Sequence, residues 1–146
     1  MMRAEENTIV SSAAYDDIAV RRLGQYTPAS SLQMSCAVLH KPNAWESRIL
    51  RIAGSIDSGT SDELLAKIEL LLGTDHLSRL IVDLEGVARM DSSGVGVLLT
   101  ALRDSQKQGV RFTLCGLPKP LYIMLERMRL AHLFEIRTTL DETFNL

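Results

Sequence analysis

The chain has 146 residues, with 16 Lys and Arg against 18 Asp and Glu and a formal charge of -2. That length suits one domain with an appendage, because single domains run to roughly 100–150 residues, and it excludes two full-sized domains. A chain 46% hydrophobic and 23% charged can build a core, and the absence of any Lys and Arg run argues against direct nucleic-acid binding, which needs a phosphate-neutralising face.

Residues 1–31 show no sustained period and close in Gly24, Pro28 and the pair Ser30-Ser31, the composition of loops and linkers. They are expected to form an irregular or partly ordered extension ahead of a domain spanning residues 32–146, with Ile18, Val20 and Leu23 able to pack on it. Glu5, Glu6, Asp16 and Asp17 interrupt the apolar core that a secretion signal would need. Nothing further along approaches a membrane span, so the expected compartment is the cytoplasm.

From Leu32 the pattern becomes regular. Met34, Cys36 and Val38 alternate with Gln33, Ser35 and Ala37, which predicts a strand. Turn chemistry at Lys41-Pro42-Asn43 leads to a second apolar stretch, Ile49 to Ala53, expected to pair antiparallel with the first and to end at Gly54. Thr60 or Ser61 can cap a helix whose Leu64, Leu65, Ile68, Leu71 and Leu72 form one stripe, stopped by Gly73. Leu80-Ile81-Val82 is a short continuous apolar run, as expected of a central strand covered on both faces.

A second helix is predicted from Val95, Leu98, Leu99 and Leu102, with Gly109 closing it. Val110, Phe112 and Leu114 alternate in a following strand. Pro118 and Pro120 then open a third helix bearing Leu121, Met124, Leu125 and Met128, and Leu140 and Phe144 can anchor a last short helix. This order predicts an α/β domain with a mixed sheet of four to five strands packed by about four helices.

The segment Val87 to Gly96 carries the most chemistry, because it puts two hydroxyls between a buried strand and an amphipathic helix, an edge where sheet proteins place function. Asp91 can cap the helix by accepting from the backbone N–H of Ser92, Ser93 or Gly94, leaving both serines in the first turn. A phosphate there adds roughly -1.5 to -2 charge, tolerable at the positive end of a helix dipole but disruptive to an apposed acidic surface. Gly94 and Gly96 are expected to keep that surface open to another chain.

The run Met90-Asp91-Ser92-Ser93-Gly94-Val95-Gly96-Val97-Leu98-Leu99 resembles the phosphorylation-site segment of STAS-domain anti-sigma factor antagonists, and Gly54-Ser55-Ile56-Asp57 resembles that family's G-E-L-D signature, with Ser55 in place of the acid. The resemblance extends from about Leu32 to Leu146 and implies a STAS-like fold. It implies Ser93 as phosphoacceptor, with Asp91, Ser92, Gly94 and Asp57 shaping the surrounding surface. It further implies a partner switch that is not an enzyme: the unphosphorylated chain binds an anti-sigma factor with serine kinase activity, phosphorylation at Ser93 releases it, and a PP2C-type phosphatase resets it. Some thirty residues ahead of the first strand depart from the family's usual beginning.

Two other readings compete. A STAS module can regulate a target other than sigma, such as a signalling enzyme or a transport complex, and a helix start can bind a nucleotide or other small anion. A dinucleotide loop is disfavoured because Leu99 occupies the third glycine position of G-x-G-x-x-G. A serine hydrolase is disfavoured because G-x-S-x-G is missing and His40, His76 and His132 have no recognisable relation to Ser92 or Ser93. Cys36 and Cys115 lack C-x-x-C spacing and are expected to be buried reduced thiols; neither metal nor cofactor is expected. The sequence does not say whether the chain works alone or as a homodimer, and a homodimer is possible.

Overall fold

The computed structural model describes residues 31–39 and 46–139. Along these the elements run β1 (Leu32–Leu39), β2 (Glu46–Ile56), α1 (Ser61–Leu72), β3 (Leu77–Met90), α2 (Ser92–Gln108), β4 (Arg111–Cys115) and α3 (Lys119–Arg127). A short 3-10 turn (Ala131–Leu133) and β5 (Glu135–Arg137) follow. The five strands form one sheet in the order β1-β2-β3-β4-β5, with β3 at its centre. β1 and β2 are antiparallel, while β2, β3, β4 and β5 are mutually parallel, so the sheet is mixed as expected.

The strand signals locate the strands but understate two of them. β2 continues through Gly54 to Ile56, where the sequence places an end, and β3 extends from Leu77 to Met90 around the Leu80-Ile81-Val82 run. Gly54 does not end the strand; it makes room beside it. Its φ is +105°, and a Cβ there would collide with the carbonyl oxygen of Ser31. That carbonyl accepts the Ser55 N–H at 3.2 Å, holding the start of β1 against β2. A shift in the β2–β3 register between Gly54 and Ser55 marks the same place.

Three α-helices, rather than about four, lie among the described residues. The final helix expected at Leu140 and Phe144, the turn at Lys41-Pro42-Asn43 and the extension at residues 1–30 lie outside them. Leu64, Ile68, Leu71 and Leu72 of α1 are buried. In α2 the buried stripe is Val95, Val97, Leu98, Ala101 and Ser105, so Leu99 and Leu102 sit at its margin rather than at its centre. Leu121 and Leu125 of α3 are buried, but Met128, expected in the same stripe, is 42% exposed because the helix has already ended at Arg127.

All three helices contribute to one hydrophobic core on a single face of the sheet, together with Leu50, Ile52, Leu80, Val82, Phe112 and Leu114. At about 25 cal/mol per Å² of apolar surface, each large side chain fully buried there contributes roughly 1.5–3 kcal/mol. No helix among the described residues is long and apolar enough to cross a membrane.

Candidate functional site at the carboxyl edge of the sheet

Two of the parallel strands, β2 and β3, end side by side. Ile56 pairs with Met90, and the Asp91 N–H donates to the Ile56 carbonyl at 3.1 Å, so the turn after β2 and the start of α2 leave the sheet from adjacent points. This brings Asp57 and the Asp91–Gly94 segment, 34 positions apart in sequence, to one edge.

Asp91 is the N-cap of α2. Its backbone is extended, and its Oδ1 accepts the N–H groups of Ser93 at 2.8 Å and Gly94 at 3.4 Å. The carboxylate therefore satisfies two of the otherwise unpaired donors of the first turn and places negative charge at the positive end of the helix dipole. Ser92 and Ser93 are the first two residues of the helix; Ser92 is exposed and Ser93 partly so. Both serines thus stand in the capped first turn at the sheet edge.

Asp57 organises its own turn. Its Oδ1 accepts the Gly59 N–H at 2.9 Å, and its carbonyl accepts the N–H groups of Thr60 and Ser61 at 3.0 and 2.8 Å. Thr60 stands at the N-cap position of α1 but makes no side-chain cap; instead its hydroxyl donates to the Ser55 carbonyl at 2.8 Å and accepts the Asp57 N–H at 3.0 Å. The buried threonine ties the end of β2 to α1, a role that the helix-cap reading of Thr60 misses. The turn signal itself, Asp57-Ser58-Gly59, is visible in the sequence.

The two glycines of the segment divide the task that the sequence assigns to both. Gly94 is buried, and a Cβ there would meet Met90 Cγ at 2.5 Å and Ile56 Cγ2 at 2.8 Å. It opens the helix to its own strands rather than to another chain. Gly96 is exposed, with nothing within 4 Å of an added Cβ, and is the one of the pair that leaves the outer surface bare.

Neither Cys36 nor Cys115 is in a disulfide, and both are buried. His76 and His132 are exposed, and His40 lies outside the described residues. Among the described residues no three His, Cys, Asp or Glu side chains gather where a metal ion could be held.

Among the described residues, three helices bury their apolar stripes on one face of a mixed α/β sheet whose carboxyl edge carries a capped, serine-bearing helix start. The STAS domain family model matches residues 37–143, and the chain belongs to that family. An anti-sigma F factor antagonist of Paenibacillus polymyxa is 26% identical over 97 residues, covering 66% of this chain and 80% of that protein. The fold also matches an anti-sigma factor antagonist from Mycobacterium paratuberculosis, with a TM-score of 0.65 at 20% identity over 83% of this chain and 97% of the other. It matches phosphorylated SpoIIAA, a Bacillus cell fate determinant, with a TM-score of 0.55 at 21% identity over 75% of this chain and 98% of the other.

Proposed function

We propose that the chain is an anti-sigma factor antagonist whose binding is switched by phosphorylation of Ser93. The observation that carries this reading is the Ser92–Ser93 pair, held by the Asp91 cap in the first turn of α2 at the sheet edge, with Ser92 exposed and Ser93 partly so. Relatives in sequence and fold that are anti-sigma factor antagonists support it, one of them in a phosphorylated form.

In this reading the unphosphorylated surface of Asp91, Ser92, Ser93 and the neighbouring Asp57 turn docks on an anti-sigma factor with serine kinase activity. The Ser93 oxygen takes a phosphoryl group from a nucleoside triphosphate held by that partner, losing its proton, and nucleoside diphosphate leaves. The new dianion sits at the positive end of the α2 dipole beside the Asp91 carboxylate, on a partly exposed residue where water screens the two charges, so the fold is kept. The partner's apposed surface must desolvate that charge or repel it, and the complex separates. A PP2C-type phosphatase hydrolyses the ester and restores the hydroxyl. The chain supplies the acceptor and the surface but no catalytic group, and it works in the cytoplasm.

Phosphosite mapping by mass spectrometry of the chain purified from its native host tests the acceptor. Phosphate on Ser93 is expected; phosphate confined to Ser92, or to a residue away from the start of α2, would overturn the assignment.

A further inference from the structure

β3 is longer than the strand it pairs with. Between the Arg51–Asp83 pair and the Ile56–Met90 pair, β2 advances five residues and β3 seven, through register shifts between Arg51 and Ala53 and between Gly54 and Ser55. At the first shift Leu84 and Glu85 together stand opposite Ile52, which is a β-bulge. Successive residues of a strand point to opposite faces, yet Leu84 and Val87, three positions apart, both lie in the core beneath the helices, while Glu85 and Gly86 between them are exposed. The bulge turns β3 over.

Asp83 is built into that bulge. Its Oδ1 accepts the N–H of Glu85, the second bulge residue, at 3.0 Å, and its Oδ2 lies 3.3 Å from Arg51 Nε on β2. The residue is 2% exposed. On the β4 side Gly116 leaves room for it: φ there is +66°, and a Cβ would lie 2.9 Å from Asp83 Oδ1. Burying a carboxylate is costly unless it is paired and hydrogen-bonded, and here both oxygens are committed to the bulge and the strand beside it.

The bulge matters at the far end of the strand. Each one-residue shift flips the side chains that follow it, so only with both shifts in place do Ile56 and Met90 again point the same way, toward the helices. The Asp91 N–H then meets the Ile56 carbonyl at 3.1 Å. Without the first bulge, β3 would deliver Met90 to the opposite face and start α2 one residue out of step with the end of β2.

We propose that Asp83 is a positioning residue for the start of α2: by holding the Leu84–Glu85 bulge, it sets where Asp91, and with it Ser93, leaves the sheet. It acts along β3, from about 20 Å away, and not by contact. That this serves the switch rests on the reading of Ser93 as phosphoacceptor; the positioning itself does not.

The test is hydrogen exchange of single backbone amides, followed by NMR, in wild type, Asp83→Ala and Asp83→Asn, with phosphate occupancy at Ser93 measured in the same chains purified from the native host. In Asp83→Ala the Asp91 amide is expected to lose about tenfold or more protection beyond any loss at Leu98 and Ala101, which are buried along α2 and report general stability. Occupancy at Ser93 is expected to fall by a similar factor. Asp83→Asn keeps an accepting oxygen and is expected to restore both. Equal losses at Asp91, Leu98 and Ala101 would overturn the proposal, as would an Asn variant that behaves like the Ala variant, or unchanged occupancy beside faster Asp91 exchange. If Asp83→Ala does not fold, Gly116→Ala, which presses a methyl on the same carboxylate, decides by the same comparison. Wild-type phosphate confined to another residue would instead overturn the Ser93 reading and leave the exchange result standing.

Discussion

The Asp91 N–H and the Ile56 carbonyl are joined by a 3.1 Å hydrogen bond that continues the β2–β3 ladder one step past the last paired residues. The Asp91–Gly94 segment therefore starts from a backbone position set by the sheet. A charge added at Ser93 meets a structured helix start, and its effect is expected in the surface offered to a partner rather than in the fold.

Removing the cap tests that construction. Asp91→Ala leaves the Ser93 and Gly94 N–H groups without their acceptor, and losing such an N-cap costs about 1 kcal/mol. Urea unfolding is expected to show that loss for Asp91→Ala. Asp91→Asn, which keeps an accepting oxygen, is expected to retain most of the stability.

The two glycines of the segment should respond with opposite sign. Gly94→Ala drives a methyl into Met90 and Ile56, and overpacking of this kind costs about 1–3 kcal/mol. Gly96→Ala adds a methyl in open space within α2 and is expected to stabilise by up to about 1 kcal/mol through helix propensity. Thermal melts of the two variants beside wild type read the difference directly.

Acid stability should depend on Glu135. Burial alone would raise its carboxyl, but hydrogen bonds from Arg111 and Thr113 and the charges of Arg111 and Arg79 outweigh this and hold it below its ordinary 4.5. Arg111 grips it with two hydrogen bonds of 2.7 and 2.6 Å. A carboxyl whose folded value is depressed stabilises the fold above its unfolded value and loses that contribution as pH falls through the folded one. Urea unfolding from neutral to acid pH is expected to show wild type more stable than Glu135→Gln above 4.5, with the gap closing below it. A gap independent of pH would contradict this account.

Much of the fold is legible in the sequence because its signals are local. Period-2 runs mark β1 and β4, apolar stripes mark the three helices, and the D-S-S-G segment marks the edge where the candidate site lies. The misreadings come from contacts between distant residues. Nothing near Gly54 says that the Ser31 carbonyl will occupy the space of its missing side chain, so a strand that continues looks like one that ends. Gly94 looks like an opening toward another chain because Ile56, which fills it, is 38 positions away. Thr60 looks like a cap until β2 is extended far enough to bring the Ser55 carbonyl to its hydroxyl.

The central claim is that phosphate on Ser93 releases a bound partner, and affinity capture from native-host lysate with wild-type, Ser93→Ala and Ser93→Asp baits tests it most directly. Mass spectrometry of the captured proteins is expected to find an anti-sigma factor with serine kinase character on the wild-type and Ala baits and to find it lost from the Asp bait. Capture of the same proteins in equal amount by all three baits would contradict the account.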